Sequence, residues 1–320
     1  MFDSTLLKDM ELGRARRYRN ITVFPLHREA SPKVDYLPLD EALDRNLVEV
    51  AEVDTDGSVP DLLVKNRGRR PVLIIDGEEM IGAKQNRVVN TSLLLLGNTT
   101  TKIPVSCTEA GRWSYVSPQF KKSDTVLNRQ ARASKASSVS KNYKMLKRAR
   151  ANQGEVWEEI SELQAKAQHQ SPSSAMKDVY DARRRDLDDC LASLKLMPGQ
   201  QGMVVCVNGR PVGCDYLSKP EAYARLHEKL LRSYVIDALL DGEGKVNGKA
   251  ARKDSARAFL RQASRCANER YEAPGAGWDH RFEGKDLVGT ALEHEEEILH
   301  QAFFSLEDGP DRHRSRHLNR

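Results

Sequence analysis

Residues 74–95, IIDGEEMIGAKQNRVVNTSLLL, and residues 102–113, KIPVSCTEAGRW, carry the strongest pattern in this chain of 320 residues. The first segment places the polar run AKQNR between apolar stretches, and strict alternation along a strand would put charged or amide side chains on both faces. A strand that is polar on both faces lies at the edge of a sheet or lines a site. Because strands that are neighbours in sequence usually pair, we expect these two segments to pair.

The predicted pairing brings acids, two arginines, a lysine, amides, a thiol and an indole together. Such a mixture suits a polar ligand that carries phosphate, ribose or carboxylate groups. The alternative is a solvated edge strand whose charges form ion pairs. If a site is present, one concave surface with Trp113 at its rim or wall should be lined by Glu79, Gln85, Arg87, Glu109 and Arg112.

Strand patterns continue on both sides of this region. Short β-branched segments bounded by turn residues precede it, at 20–27, 47–54, 62–66 and 71–76. After it, GMVVCVNGRPVGCDYL (202–217) predicts a hairpin that turns at Asn208-Gly209. Helices are predicted from Pro220 to Leu240 and over 251–267, followed by three closing strands.

These patterns predict an α+β fold, in which an antiparallel β-rich body carries a helical-hairpin insertion and further helices in its C-terminal half. An isolated hairpin is marginal in water, so 202–217 must join a larger sheet. The expected parts are a basic N-terminal segment (1–19) with a short helix in ELGRARRYRN, a single β-rich domain with helices (20–117 and 200–305), a helical insertion (120–195), and a disordered charged tail (306–320).

Charge is unevenly distributed in the predicted insertion. Between Phe120 and Arg150 there are ten lysines or arginines and one acid, whereas Glu155 to Asp189 contains nine acids and five bases. One interpretation is a pair of oppositely charged helices packed side by side, which leaves the basic arm as a solvated helical surface. The other is that Lys121 to Arg150 binds nucleic acid or other phosphates. Few aromatic residues occur there, which argues against single-strand binding.

Composition excludes several classes of protein. Hydrophobic residues make up 39% of the chain and charged residues 30%, which indicates a globular protein with a heavily charged surface. No apolar run approaches the roughly 20 residues of a membrane helix, and the N-terminus does not read as a secretory signal. Five scattered cysteines without a CxxC pair make a disulfide scaffold or a zinc ribbon unlikely to be the basis of the fold. A cytoplasmic protein without a membrane segment is expected.

Several motifs together resemble one protein family. GEEMIGAKQNRVVN, IPVSCTEAGRW, QGEVW (153–157) and the closing VGTALEHEEEILHQAFF are similar to the ARG and Rhodanese-Phosphatase-superfamily-associated protein domain family, in which ARG denotes ADP-ribosylglycohydrolase. The resemblance spans roughly 20–305. It implies a role near ADP-ribose or NAD-derived nucleotides. It implies neither a reaction nor a cofactor, so whether the chain is an enzyme stays open.

The resemblance and the residue types together suggest roles in nucleotide binding or processing. Arg87 and Arg112 would clamp phosphates, because a guanidinium fork matches two phosphate oxygens. Trp113 would stack on a base or cover a ribose. Glu79 and Glu109 are the candidate catalytic acid and base, or hold ribose hydroxyls. The other candidate ligand-binding residues are Glu78, Lys84, Gln85, Asn86, Ser106 and Cys107.

Two other functions compete with nucleotide binding. One is a nucleic-acid-binding or regulatory module, in which the basic arm would make the contacts and the motif strand would be architectural. The other is a structural scaffold in a defence or repair complex. Cys107 could be a nucleophile if Arg112 lowered its pKa and His300 approached it, although a buried core thiol is the commoner case. No metal site and no oligomeric state are indicated by the sequence.

Overall fold

The computed structural model describes residues 6–54, 60–241 and 249–306. In chain order, the helices are α1 (Leu6–Asp9), α2 (Leu39–Asp44), α3 (Arg129–Leu146), α4 (Gln153–Lys166), α5 (Met176–Ala182), α6 (Arg184–Ser193), α7 (Pro220–Leu240) and α8 (Lys253–Ala263). The strands are β1 (Glu11–Leu12), β2 (Arg16–Tyr18), β3 (Ile21–His27), β4 (Leu37–Pro38), β5 (Val48–Glu52), β6 (Asp61–Asn66), β7 (Val72–Ile74), β8 (Glu78–Gly82), β9 (Arg87–Val89), β10 (Leu93–Leu95), β11 (Thr99–Cys107), β12 (Phe120–Val126), β13 (Gly202–Val207), β14 (Arg210–Leu217), β15 (Ala267–Glu272), β16 (Trp278–Glu283), β17 (Leu287–His294) and β18 (Glu297–Ser305).

The largest sheet joins the beginning of the chain to its end. Its order is β1-β3-β13-β14-β18-β17-β16-β15, with β2 also paired to β3, and the pairings are antiparallel. The predicted hairpin is confirmed as β13 and β14, and Asn208 and Gly209 both have positive φ, as a tight hairpin turn requires. The hairpin lies between β3 and β18, which agrees with the expectation that it cannot stand alone. The predicted α+β class is confirmed.

A six-stranded sheet holds the two segments of the candidate site. Its order is β12-β8-β9-β11-β6-β5, and a small third sheet has the order β10-β7-β4. Strand β9 pairs with β11, aligning Arg87 with Cys107 and Val88 with Ser106, so the predicted pairing of the two segments is confirmed. Strands β8 and β9 are interior strands of this sheet. The solvated edge strand considered from the sequence is therefore wrong.

One hydrophobic cluster extends over most of the described chain. It includes Ile21 on β3, Leu226 on α7 and Phe304 on β18, together with residues of α3, α4 and α5. Helix α7 begins with Pro220, which suits the first helical position because its missing N–H would have no intrahelical acceptor there. Helix α3 contacts β17, β18 and α7. The predicted division into a β-rich domain and an insertion stays a prediction.

Three local predictions are wrong in whole or in part, because pairing with another strand outweighs the local helical pattern. The helix expected in ELGRARRYRN is replaced by β1 and β2, which both pair with β3. The helix expected over 251–267 ends at Ala263, and β15 follows and pairs with β16. Residues 120–126, expected within a helical insertion, form β12 against β8. Because Ser123 and Thr125 are polar but buried, the sequence of β12 does not show the alternation of apolar and polar residues that predicts a strand.

The expectation of a solvated basic arm is wrong for the first half of α3. Arg129, Arg132 and Lys135 are buried there. Each lies beside a carboxylate from another part of the chain, respectively Asp237, Asp215 and Asp76. Burial of so many cations requires such partners, since an unpaired buried charge is costly. The exposed basic residues of the arm are Lys121, Lys122, Lys141, Lys144, Lys147, Arg148 and Arg150.

Two further predictions concern the ends and loops of the chain. Apart from Leu306, the tail predicted to be disordered lies outside the described residues, as do 242–248 of a predicted loop. Within the ranges that the structure describes, no helix is long and apolar enough to cross a membrane.

Candidate functional site

Arg112 holds the loop between β11 and β12 against the turn between β8 and β9. Its Nη1 donates to the backbone oxygens of Ala83 (2.7 Å) and Ser114 (2.9 Å), and its Nη2 donates to Glu109 Oε2 (2.5 Å). Ala83 has positive φ, so this turn is a strained conformation that needs such support. Arg112 is therefore engaged with protein atoms on both terminal nitrogens, and its geometry is that of a structural tie.

Glu109 belongs to the same tie. Its Oε2 also accepts the backbone N–H of Asn86 at 3.1 Å, and its backbone oxygen accepts Gln85 Nε2 at 3.0 Å. Burial acts to raise the pKa of Glu109, but the hydrogen bond from Arg112, with Ser173 and Asn86, outweighs it and leaves the pKa below its ordinary value. Glu109 is thus ionised at neutral pH and suited to accept hydrogen bonds.

Arg87 is the least satisfied charged side chain of the site. It is fully buried, and its Nη1 donates to Gln85 Oε1 at 3.0 Å. Among the described residues, its Nε and Nη2 have no hydrogen-bond partner. The nearest carboxylate is Glu52, whose Oε1 is 3.9 Å from Nη2, longer than a hydrogen bond. Burial lowers the pKa of Arg87, against the opposing effects of Cys107 and Glu52.

An aromatic surface lies over these cations. The guanidinium carbon of Arg87 is 5.8 Å from the centroid of the Trp113 ring. The ammonium of Lys84 is 5.2 Å from the Trp113 ring centroid and 5.1 Å from that of Tyr115. The two aromatic residues are half exposed, at 48% and 49%. The Trp113 ring therefore lies over the Arg87 guanidinium while remaining half exposed, and its position at the rim or wall of a concave surface stays a prediction.

Cys107 forms the inner wall beside Arg87. Helix α4 holds the end of β11 there, because the side-chain amide of Gln153 accepts the N–H of Cys107 at 2.8 Å and donates to its carbonyl at 2.9 Å. Burial raises the pKa of the thiol, and Arg87 and Trp157 do not offset this. The thiol is protonated at neutral pH, so the geometry does not favour a nucleophilic role. His300 contacts Ser92 and Asp215 instead.

Glu79 occupies a separate, fully buried position. Its Oε1 accepts Thr108 Oγ1 at 2.9 Å, and its Oε2 accepts Ser123 Oγ at 2.9 Å and the hydroxyl of Thr125. Burial raises the pKa of Glu79 despite these three hydroxyl donors. Ser123 also lines a cavity of about 390 Å³ between α7 and β12. The hydrogen-bond partners of Glu79 among the described residues thus lie on β12 and directly after β11, and Arg87 is not one of them.

Two other predicted residues also have their contacts elsewhere. Glu78 Oε1 accepts Lys229 Nζ at 2.8 Å, and the same lysine donates to Asp40 at 2.9 Å. Ser106 donates to Asn90 Oδ1 at 2.8 Å. The structure therefore connects eight of the predicted residues into one constellation and leaves Glu78, Glu79 and Ser106 outside it. The connected residues are Gln85, Asn86, Arg87, Cys107, Glu109, Arg112 and Trp113, with Lys84 joined through Trp113.

Four further residues lie against this constellation and were not predicted as site residues. Gln153 and Trp157 come from α4, and their motif QGEVW had drawn attention only through the family resemblance. Tyr115 follows Trp113 by two residues and could have been found by the same aromatic signal. Glu52 lies at the end of β5 in a run of ordinary strand residues, and no sequence signal marks it.

The described residues do not contain a group of three or more histidine, cysteine, aspartate or glutamate side chains placed to hold a metal ion. The site consists of a buried guanidinium, a carboxylate tied to an arginine, and two half-exposed aromatic rings. Chemically, this arrangement can bind an anionic group at the guanidinium and a flat ring at the aromatic surface.

The fold is that of an α+β protein in which a buried arginine of an interior strand lies beneath a half-exposed aromatic ring. The family is given by the sequence: residues 9–304 match the ARG and Rhodanese-Phosphatase-superfamily-associated Protein domain, so the chain belongs to that family. No curated protein and no solved structure matches the chain.

Proposed function

We propose that this chain binds or processes a nucleotide derived from ADP-ribose or NAD, with a phosphate of the ligand held by Arg87. The observation that carries the proposal is the pair of buried Arg87 nitrogens, Nε and Nη2, that lack a hydrogen-bond partner among the described residues. The family name connects this domain with ADP-ribosylglycohydrolase proteins and supports this class of ligand.

The guanidinium geometry favours a phosphate. The Nε and Nη2 hydrogens of an arginine lie along one edge and point the same way, so they match two oxygens of one phosphate. A buried cation without a full set of partners costs several kcal/mol, a cost that a bound anion removes. Glu52 at 3.9 Å from Nη2 is too distant to supply the missing hydrogen bonds.

Access to Arg87 requires Trp113 to move. Arg87 is fully buried and Trp113, at 48% exposure, lies over it. The backbone that carries Trp113 is held by Arg112 and by the hydrogen bond from Val116 N–H to Ala83 O at 3.1 Å. We infer that the indole rotates on a fixed backbone to admit the phosphate, and then returns to its position beside Tyr115, where it stacks on the base or covers the ribose.

Binding is better supported than catalysis. Glu109 is ionised and close to the site, so it can accept ribose hydroxyls or act as a base. Burial raises the pKa of Glu79, which is the direction that suits a general acid, but both of its oxygens accept hydrogen bonds from protein hydroxyls. A catalytic role for Glu79 would require these hydrogen bonds to exchange during the reaction.

A second candidate function rests on the exposed end of α3. Lys141, Lys147, Arg148 and Arg150 are exposed there beside Met145 and Leu146. Four clustered cations favour contact with nucleic-acid phosphates, although the buried first half of α3 restricts the surface to this end. Such binding would weaken steeply as salt concentration rises.

A thermal-shift screen against NAD, ADP-ribose, their cyclic derivatives and short RNA separates the two candidates. Specific binding to the folded state raises the melting temperature, by mass action. We expect ADP-ribose to raise the melting temperature with little dependence on salt. A rise with RNA alone that vanishes at high salt would support the second candidate, and no rise with any nucleotide at millimolar concentration would contradict the first.

A further inference from the structure

Trp113 and Tyr115 hold a positive charge between them. Both rings lie on the loop between β11 and β12, and the Lys84 ammonium is 5.2 Å from one ring centroid and 5.1 Å from the other. These distances are within the range of cation–π attraction, in which the negative face of an aromatic ring attracts a cation. The lysine thus shows that the space between the rings accepts a cation.

The aromatic pair is presented on a fixed backbone. Arg112 donates to the backbone oxygen of Ser114, the residue between the two rings, and to that of Ala83 in the β8–β9 turn, and Val116 N–H donates to Ala83 O. On the other side, Gly111 N–H donates to Ser173 O at 2.8 Å. A subsite needs such support, because rings on a loose loop lose their mutual geometry. Both rings are half exposed, so a ligand can reach them.

We infer that Trp113 and Tyr115 form a subsite for a positively charged ring of the ligand. The chain should therefore prefer nucleotides that carry an oxidised pyridinium ring over nucleotides in which this ring is reduced or absent. This inference rests on the proposed function for the phosphate contact at Arg87. Among NAD-derived nucleotides, the pyridinium ring is the part that carries a delocalised positive charge and a flat shape, and both properties suit two aromatic faces.

The Lys84 ammonium can move away from the two rings, because the phosphates of the bound ligand offer it another partner. Its side chain is a flexible four-carbon stem that carries a compact charge. The Arg87 guanidinium is 5.8 Å from the centroid of the same Trp113 ring, so the phosphate position adjoins the aromatic pair. When a pyridinium ring replaces the ammonium between the rings, the ammonium can pair with the phosphates of the same ligand.

The test compares cationic and neutral rings that carry no phosphate. In ligand-observed NMR titrations, 1-methylnicotinamide should bind about 5-fold or more tightly than nicotinamide, the factor expected from cation–π contact with two rings. Trp113→Leu should remove the difference. Lys84→Met should strengthen 1-methylnicotinamide binding by about 3-fold, because an internal competing cation is removed. Lys195→Met, at an exposed lysine that follows α6, is the matched control and should change nothing.

The same variants distinguish this inference from the proposed function. Equal binding of 1-methylnicotinamide and nicotinamide, or no gain in Lys84→Met, overturns the cation subsite even if ADP-ribose binds. Failure of ADP-ribose to bind overturns the phosphate contact, while the titrations without phosphate still decide the subsite. With both intact, oxidised NAD should bind about 5- to 20-fold more tightly than reduced NAD.

Discussion

Two fully buried arginines in this chain have opposite surroundings. Arg132 on α3 makes a bidentate contact with Asp215, at 3.0 Å from Nη1 and 2.6 Å from Nη2, and Asp76 lies 3.8 Å from its Nε. Arg87 on β9 has Glu52 at 3.9 Å as its nearest carboxylate among the described residues, and one hydrogen bond to a side chain. Both side chains are fully buried, and in both the Nε lacks a hydrogen-bond partner among the described residues. The difference is that both terminal nitrogens of Arg132 donate to one carboxylate, whereas Arg87 donates to no carboxylate in the described part of the chain.

The directions of the pKa shifts express this difference. Burial acts to lower the pKa of both guanidinium groups. For Arg132, the charge and hydrogen bonds of Asp215 outweigh burial and raise the pKa, whereas for Arg87 burial prevails and the pKa is lowered. The charge of Arg132 is thus neutralised within the protein, by Asp215. A cation that the fold leaves short of partners is a candidate for neutralisation by a ligand.

The largest expected effect is on folding stability in Arg132→Met. Removing this partner leaves Asp215 charged and fully buried, which typically costs about 3–5 kcal/mol. Urea unfolding at pH 7 measures the loss. Arg148→Met removes an exposed arginine and should stay within about 0.5 kcal/mol of the wild type. A loss below 1 kcal/mol in Arg132→Met would show that the paired arginine is not structural.

A smaller effect is expected on the acid side of the stability curve. Burial acts to raise the pKa of Asp215, but Arg132 and His300 outweigh it and lower the pKa from 3.8 to about 2. Because the folded-state pKa is depressed, this stabilisation is present above about pH 4 and is lost as pH falls toward 2. Its size is about 2 kcal/mol.

Urea unfolding between pH 5 and pH 2 should show this loss in the wild type and a correspondingly smaller one in Asp215→Asn. If the variant does not fold, a carboxyl-carbon NMR titration of the wild type measures the same quantity directly. A side-chain pKa of Asp215 near 4 in the folded protein would contradict the proposed pairing.

The smallest expected change in stability is in Arg87→Met. The variant loses the hydrogen bond to Gln85 but also removes a poorly paired buried cation, so the net loss should be about 1 kcal/mol or less. The double variant Glu52→Gln/Arg87→Met should be similar. A loss of 3 kcal/mol in urea unfolding, restored by Glu52→Gln, would mean that Arg87 belongs to a structural ion pair.

The sequence predicts the strand pairing around Arg87, but neither the full burial of Arg87 nor the ion pair between Arg132 and Asp215. Arg87 and Cys107 lie on strands that are near neighbours in the chain, so their pairing could be anticipated from polar residues between apolar runs. Arg132 and Asp215 are 83 positions apart, and a lysine- and arginine-rich helix reads as a solvated surface when its carboxylate partners come from distant strands. The long-range pairing of charges is a property of the folded topology.

Residue type predicted which side chains lie close together better than it predicted what each side chain does. By residue type, Arg87 and Arg112 are both candidate phosphate ligands. Arg112, however, donates hydrogen bonds to the backbone oxygens of Ala83 and Ser114 and to the carboxylate of Glu109. Alternation could not reveal this, because it gives the face of a strand and not the atoms that each guanidinium reaches. The sequence predicts that Glu79 lies on the same surface, but its three hydroxyl partners lie toward β11 and β12. These contacts depend on the register between β8 and β12, which the sequence does not reveal.

The central claim is that the unpaired edge of Arg87 binds a phosphate of an ADP-ribose-type ligand. Isothermal titration of ADP-ribose into the wild type, Arg87→Met and the exposed control Arg148→Met tests it most directly. We predict that Arg87→Met loses about 2–4 kcal/mol of binding free energy, about 30- to 1,000-fold in Kd, while the control binds like the wild type. An unchanged Kd in a folded Arg87→Met variant, or no binding by the wild type, would contradict the claim.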